Sequence, residues 1–478
     1  MLEVAEEDIL KSLRRDNPWW NALVEGPFVT YTKRRGYFDP FRQSALNFQV
    51  KRSAILMGPR RVGKTVLLQQ IIESAIEKVL PRNCILYVSL DTPLYSGMSL
   101  EKLLDLYEKV SRCDPAARRL IVFDEVQYLK DWEIHLKVLT DKHPNTRFIA
   151  SGSAAAALRL KSHESGAGRF TDFYLPPLTF AEFLDFSDVE KELIQPEPQG
   201  RTLRYKTSNI NALNTQFLNY LNYGGYPEAV LNEDIRKNSQ RYLGRDIIDK
   251  VLLRDLPSLY GIQDIQELNR LFTTIAYHSG GEISLEALAS SSGVAKNTIS
   301  KYLEYLEAAF LIVRVRRVDE NGKTFKKTMQ FKAYLSNPSM RAALFAPLAE
   351  DDPAMGAMVE TAIFSQWFHS EQLRTIHYAR WKSGRQHREV DLVRVDPATL
   401  RPSWAYEVKW SDRFVDQPGE LRALVEFALK NGLDRTPVGA TTKTRTSEST
   451  VDGVTIRHFP CALHCYQIGR NVIEGRPA

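Results

Sequence analysis

The sequence predicts an α/β protein in three parts: a parallel sheet flanked by helices, a mostly helical middle, and a second, separate α/β unit. Three observations carry this expectation. The chain has 478 residues, and at about 150 residues per domain it should divide into roughly three hydrophobic cores. Between residues 50 and 180 apolar runs alternate with helical periods, the pattern of a parallel sheet with helices on both faces. After about Lys332 the order changes to one helix, three strands, a helix and a further strand.

In the first part, strands are read at Ser53–Met57, Cys84–Leu90, Leu120–Asp124 and Arg147–Ser151, with a helix over Lys64–Val79. From Pro196 to Asn214 the chain turns polar and rich in turn formers, which reads as a connection. Residues 215–320 are helical in period, with Leu218, Leu221, Tyr242, Ile247, Ile248, Val251 and Leu252 on the stripes expected to be buried. The last part reads as a helix over Met355–Phe368, three strands, a helix over Leu421–Leu429 and a strand near Pro437–Thr441. The expected boundaries are 1–195, 196–330 and 331–478.

Hydrophobic residues make up 43% of the chain and charged residues 26%, the balance of a globular protein rather than a disordered or membrane-embedded one. The N-terminus mixes acids and bases and shows no apolar core with a cleavage site. No apolar run approaches the roughly 18 residues a membrane-spanning helix needs. A cytoplasmic protein without a membrane partner is expected. Four cysteines in so long a chain make no disulfide framework, which fits a reducing compartment. His458, Cys461, His464 and Cys465 crowd near the C-terminus, but their spacing matches no strong zinc pattern, and chance clustering beside a terminal strand accounts for them. With 64 bases against 58 acids the net charge is only +6, which permits an anionic partner such as nucleic acid without demanding one.

The strongest motif is Gly58-Pro59-Arg60-Arg61-Val62-Gly63-Lys64-Thr65, a G-x-x-x-x-G-K-T loop between the apolar strand Ala54–Met57 and the helical run Val66–Ile72. The glycines let the backbone curl so that successive N–H groups point inward, and the helix N-terminus adds partial positive charge, so phosphate is held largely by main chain. Lys64 can reach the β- and γ-phosphates of ATP, and Thr65 supplies the hard oxygen that Mg²⁺ requires. Some fifty residues on, Leu120–Phe123 runs into Asp124-Glu125, two carboxylates at the C-terminal tip of a buried strand, where ligands of such sheets bind. Asp124 is the candidate to hold the Mg²⁺ shell and Glu125 the candidate base for an attacking water, the pairing expected of an ATPase. Ser151, at the end of Phe148–Ser153, could contact that water or the γ-phosphate; a plain strand-to-helix turn explains it equally well. Arg169, in Gly166–Arg169, could bring a guanidinium to a γ-phosphate in cis or from a neighbouring subunit of a homo-oligomer, or could face solvent.

These motifs, with Asn17-Pro18-Trp19-Trp20, Pro176–Phe183, Tyr223–Glu228 and Asp246–Ile248, resemble the prokaryotic AAA-type P-loop ATPases whose C-terminal part is a domain of unknown function. The resemblance spans nearly the whole chain. It implies an AAA-like ATPase, a winged helix, and a fold similar to the PD-(D/E)XK, restriction-endonuclease-like nucleases.

The residues can be read beside it. Ser284–Ala289, Ser292–Val294 and Ala295–Leu306 give helix, turn and helix. Ile299, Tyr302, Leu303 and Leu306 share one face of the second helix, which leaves Lys296, Asn297 and Lys301 for a major groove of double-stranded DNA. Glu304 and Glu307 oppose that use. In the last part, Glu360 lies on a helix, Asp391 on the second strand, and Glu407 and Lys409 two residues apart on the third, so they should share a face. As a nuclease-like site, Asp391 and Glu407 would hold Mg²⁺ or Mn²⁺, Glu360 would complete the shell and Lys409 would activate water. The alternative is ordinary strand-end charge. Two functions follow: an ATP-dependent enzyme that engages and cuts DNA, or a nucleotide switch that binds a protein or DNA partner through an inactive nuclease-like domain.

Overall fold

The computed structural model describes residues 5–21, 23–24, 27–78, 80–95, 97–114, 116–153, 168–199, 202–323, 330–368, 370–434 and 438–476. The chain divides into two compact units, Met1–Leu175 and Pro176–Ala478.

In the first unit the strands are β1 (Ser53–Met57), β2 (Ile85–Ser89), β3 (Arg119–Asp124), β4 (Thr146–Gly152) and β5 (Phe170–Tyr174). They form one parallel sheet in the order β2-β3-β4-β1-β5. All of β1 and β3 is buried, which is why both read as unbroken apolar runs rather than alternating ones. The helix Lys64–Lys78 follows β1. Each expected strand is present with its ends displaced by at most a residue. An earlier helix, Glu6–Asp16, runs into the short turn Pro18–Trp20, whose side chains cover the free edge of β2. Trp19 and Trp20 donate their indole N–H groups to the Ile85 carbonyl at 3.2 and 2.7 Å.

Cys84 and Cys113 are joined in a disulfide, which corrects the reading of these cysteines. The chain after the helix Leu100–Ser111 folds back on the start of β2, where Asn83 Nδ2 donates to the Arg112 carbonyl at 3.2 Å and brings the two sulfurs together.

The boundary expected at 195 falls instead at Leu175. Leu175 N–H makes the last sheet-like bond, to Met57 O at 2.8 Å, whereas Leu178 N–H already bonds Gly225 O in the second unit. The stretch read as a connection is a hairpin, β6 (Ile194–Gln199) and β7 (Thr202–Thr207), followed by a helix from Ile210 to Tyr223. A two-stranded ribbon tolerates Pro196 and Pro198 because each strand has one unpaired side. Buried Tyr205 packs edge-on against Tyr466.

The middle of the second unit is helical, as expected, but Gln240–Asp255 is wound almost wholly as π-helix. Its wider turn buries Leu243, Ile247, Ile248, Val251 and Leu252 and leaves Tyr242 exposed, against the α-helical stripe read from sequence. Then come β8 (Glu282–Ser284), the helices Leu285–Ser292 and Lys296–Ala308, β9 (Ile312–Val318) and β10 (Gln330–Leu335). The boundary expected at 330 falls inside a sheet. β9 pairs antiparallel with β10 and parallel with β11 (Ile376–Ser383), and the sheet continues through β12 (Gln386–Val395), β13 (Pro402–Glu407), β14 (Val438–Thr442), β16 (Val454–Pro460) and β15 (Ser447–Val451). The helix Met355–Gln366 precedes β11, and the helix Arg422–Lys430 joins β13 to its parallel neighbour β14. That is the expected order of helix, three strands, helix and strand; Pro437, at the start of the last strand as read, lies outside the described residues.

Candidate functional site

The loop between β1 and its helix bends through left-handed backbone at Arg61 (φ 64°) and Gly63 (φ 93°). Gly58 is required by contact. A Cβ there would stand 2.2 Å from the Leu175 carbonyl oxygen. Lys64 is buried and donates to the Gly58 and Pro59 carbonyls at 3.1 and 2.8 Å, so its ammonium lies over the loop. Pro59 and Val62 are buried, Arg60 is half-buried and Arg61 exposed, and the Val62 carbonyl accepts from Arg35 at 2.7 Å.

Asp124, at the tip of β3, is also buried and is the centre of the site. Its Oδ2 accepts from the Thr65 hydroxyl at 2.8 Å and from the Tyr87 hydroxyl at 2.9 Å. Its Oδ1 accepts from the Ser151 hydroxyl and from the Glu125 N–H at 3.0 Å. Ser151 therefore touches the carboxylate rather than standing apart as a turn residue. Glu125 sits in left-handed backbone (φ 54°), and its carboxylate accepts from Gln127 Nε2 and from the Ser153 hydroxyl at 3.2 Å. Thr65, Asp124, Glu125 and Ser151 thus meet within one hydrogen-bonded group at the C-terminal end of the parallel strands.

Arg169 does not join them. Phe170 pairs with Ser53, at the start of β1, whereas the loop follows Met57 at its end. A strand's length, ~16 Å for five residues, separates Arg169 from the loop, and its guanidinium is held by Asp141 at 2.6 Å. The expectation of a cis arginine at the γ-phosphate is corrected accordingly.

Sequence reasoning missed Tyr87, Gln127 and Ser153. Tyr87 is brought to the site by register: β2 and β3 pair with Tyr87 beside Val122 and Ser89 beside Asp124, so position 87 shares the face that carries Asp124. Burial, then the Asp124 carboxylate, pushes the Tyr87 phenol far above its ordinary value and keeps it a donor.

In the second unit, Gly293 takes a left-handed turn (φ 73°) between the helices Leu285–Ser292 and Lys296–Ala308, and Ile299, Tyr302, Leu303 and Leu306 face inward as read. Lys296, Asn297 and Lys301 are exposed, with Lys296 paired to Glu286 at 2.9 Å.

Glu360, Asp391, Glu407 and Lys409 do converge, but around a second lysine. Lys332, 3% exposed on β10, reaches Glu389 at 2.7 Å, Glu360 at 2.8 Å and Asp391 at 3.4 Å. Lys409 bridges Glu407 at 2.9 Å and Asp391 at 3.5 Å. Tyr334 donates to Glu360 at 2.6 Å, and the Val408 N–H donates to Asp391 Oδ2 at 2.9 Å. Burial pushes the Glu360 carboxyl up to about 7, with Lys332 pulling the other way. Burial and then the Asp391 charge push Glu407 up to about 8. At Asp391 burial is outweighed by the Lys409 and Lys332 ammoniums, and its carboxyl lies below the ordinary value. A charged residue inside the apolar run Gln330–Leu335 was the sequence signal for Lys332.

This arrangement does not fit the divalent ion expected at Asp391 and Glu407. Both Asp391 oxygens and Glu407 Oε1 are engaged by lysine or amide donors; only Glu407 Oε2 is buried without a partner. One carboxylate oxygen does not make the six or more oxygen contacts such an ion takes. Among the described residues no group of three or more His, Cys, Asp or Glu side chains is disposed to hold a metal. The C-terminal His/Cys group disperses: His458 bonds Ser449, Cys461 the Lys409 carbonyl, Cys465 the Ala362 carbonyl, and His464 stacks on Tyr406. No helix among the described residues is long and apolar enough to cross a membrane.

A phosphate loop after β1 of a parallel sheet, with paired acids at the tip of β3, makes the first unit an AAA-like α/β fold of the P-loop class, a fold that generally binds ATP with Mg²⁺. Residues 50–184 match the family described as an AAA domain, and residues 214–351 match a domain of unknown function, DUF8612. The chain is similar to an uncharacterized protein of Haemophilus influenzae, 26% identical over 281 residues, which are 57% of this chain and 64% of that protein. It is also similar to an uncharacterized protein of Methanocaldococcus jannaschii, 24% identical over 361 residues and 73% of each chain. Among solved structures, a Walker-type ATPase of Pyrococcus abyssi aligns over 68% of this chain and 99% of its own at 17% identity and TM-score 0.37. Cdc6p of Pyrobaculum aerophilum aligns over 69% and 97% at 13% identity and TM-score 0.30.

Proposed function

We propose that the first unit binds MgATP in the Gly58–Thr65 loop and hydrolyses it, and that the second unit responds to the nucleotide by binding a partner rather than by cutting one. The observation that carries the ATPase reading is the 2.8 Å approach of the Thr65 hydroxyl to Asp124 Oδ2, which brings together the two hard oxygens of an Mg²⁺-nucleotide site. The loop amides and Lys64 would hold the phosphates, with Lys64 exchanging the Gly58 and Pro59 carbonyls for phosphate oxygens. Thr65 and Asp124 would hold Mg²⁺, which neutralises charge on the transferring phosphoryl group. Glu125, oriented by Gln127 and Ser153, would accept the proton of the attacking water.

Phosphate release from ATP tests this. Lys64→Ala should abolish nucleotide binding, and Glu125→Gln should bind ATP with the parent's affinity while turnover falls by about a hundredfold or more. Equal turnover by the parent and Glu125→Gln would remove Glu125 from the chemistry.

Binding without cleavage is favoured by Lys332, whose ammonium already neutralises the carboxylates a nuclease would give to its metal ion. Lys296, Asn297 and Lys301 are the surface offered to double-stranded DNA. The purified chain incubated with single- and double-stranded DNA, Mg²⁺ or Mn²⁺, and ATP or ADP should leave the DNA intact. Its affinity for duplex should differ between the two nucleotides and weaken in a Lys296→Ala/Lys301→Ala variant. Cleavage lost in Asp391→Asn would overturn this reading and restore the nuclease.

A further inference from the structure

Asp124 accepts four hydrogen bonds, and a carboxylate has about four lone-pair positions, so the group has no acceptor capacity to spare. Three of the donors belong to segments already tied to phosphate chemistry: Thr65 in the loop, Glu125 beside the carboxylate, and Ser151 on the next strand tip. The fourth, Tyr87, comes from the edge strand β2. Its backbone is locked by Asn17, which is completely buried. Asn17 Oδ1 accepts from the Tyr87 N–H at 2.7 Å, and Asn17 Nδ2 donates to the Tyr87 carbonyl at 2.9 Å, so one side-chain amide supplies both bonds that a neighbouring strand would have made. With the two indoles on the Ile85 carbonyl, the N-terminal segment pairs the free edge of β2 at alternate residues, Ile85 and Tyr87.

Edge protection alone does not require a tyrosine at 87, because Asn17 contacts only its backbone. The hydroxyl has a separate partner. When Mg²⁺-ATP enters, the ion takes a lone pair of the Thr65 oxygen and Thr65 keeps only its O–H for Asp124 Oδ2, so one of the two hydroxyls on Oδ2 becomes itself a ligand of the ion. Ser151 and the Glu125 amide hold only Oδ1, about which the carboxylate can still turn. Tyr87 is the side-chain hydroxyl on Oδ2 that lies outside the phosphate loop and is not itself a ligand of the ion.

We propose that Tyr87 is a positioning residue of the ATP site: its hydroxyl keeps Asp124 Oδ2 aimed at Thr65 while the ion is bound, and Asn17 fixes the strand position from which it does so. The inference rests on the MgATP reading above and adds to it a residue and an N-terminal clamp that neither the loop motif nor the acid pair contains.

The test uses the full chain. Fluorescent ATP is titrated in EDTA and then at increasing Mg²⁺, and turnover is measured alongside. Tyr87→Phe keeps the ring and should bind nucleotide in EDTA within about twofold of the parent. Its half-saturating Mg²⁺ should rise by about tenfold, with a similar fall in kcat and little change in KM, the scale of one lost hydrogen bond to a charged group. Asn17→Ala should show a smaller shift in the same direction. Should Tyr87→Phe fold poorly, 3-fluorotyrosine at position 87 in the otherwise unchanged chain gives a fluorine resonance that should move with Mg²⁺-ATP and not with ATP in EDTA. A Mg²⁺ midpoint and kcat within twofold of the parent, or a fluorine resonance indifferent to Mg²⁺, overturns the proposal while leaving the ATPase reading intact. A parent that binds no nucleotide at all overturns both.

Discussion

Replacing Lys332 by Met should unbalance the second unit's carboxylate cluster in a measurable way. The methionine retains most of the side chain's length and apolar stem, so the change is chiefly the loss of one ammonium. That ammonium lies 2.7 Å from Glu389, 2.8 Å from Glu360 and 3.4 Å from Asp391, at a position 3% exposed. Removing one partner of a buried ionic group costs about 3–5 kcal/mol, because the charges left behind have neither water nor a counter-ion. Glu360 is the least exposed of the two glutamates and is already pushed up to about 7, so it takes a proton readily and will blunt the loss toward the lower figure. Lys332→Met should therefore destabilise this unit by about 3 kcal/mol. Adding Glu360→Gln should recover part of that, since the amide is neutral without having to take up a proton. Urea titration followed by hydrogen exchange in peptides from β10, β12 and β13 reports this unit apart from the first. A Lys332→Met protein within 1 kcal/mol of the parent, or two substitutions that simply add, would refute the idea that Lys332 is the cluster's counter-ion.

Three other outcomes follow from the same coordinates. Gly58→Ala puts a methyl 2.2 Å from the Leu175 carbonyl oxygen, so the loop must shift and ATP affinity should fall by at least about tenfold in a nucleotide titration; unchanged affinity would show that the loop is not held by that contact. Arg147→Met removes donors at 3.0, 2.9 and 2.6 Å from the Ala45, Val50 and Ser44 carbonyls, and should destabilise the first unit by about 2–4 kcal/mol in urea, whereas a loss under 1 kcal/mol would mean that these carbonyls find water. Glu360 and Glu407 hold protons in the folded state that the unfolded chain releases near its ordinary carboxyl value; their stabilising contribution is complete below that value and disappears as pH rises through about 7 and about 8. The second unit's melting temperature should accordingly decline between about pH 5 and pH 8, and a rise over that interval would count against protonated glutamates at the cluster.

The phosphate site was legible because its chemistry is local. The loop, its flanking strand and helix, and Asp124-Glu125 each lie in one short stretch, and parallel strands buried on both faces read as apolar runs. What escaped notice depends on register between distant segments. Tyr87 matters only because β2 runs in register beside β3, and Asn17 only because its amide meets that edge strand 70 residues away. Arg169 sat in a suggestive stretch, but the pairing of Phe170 with Ser53 puts it at the far end of the sheet. Lys332 was read as a boundary because the helical pattern changes there, although the sheet runs through it. The hairpin at 194–207 was hidden by its prolines, which a two-stranded ribbon accommodates and a larger sheet would not.

The pairing of β9 with β11 has a consequence for how this unit can move. Tyr378 and Ala379 are in register with Arg317 and Val318, so the strands next to the helix-turn-helix and the strands that carry Asp391 and Glu407 share one ladder of main-chain bonds. The seam between the two helices and the carboxylate cluster is therefore continuous sheet and not a hinge. Movement of the two helices relative to the carboxylate cluster would have to bend this ladder as a whole, because no break in the pairing separates β10 and β9 from β11, β12 and β13.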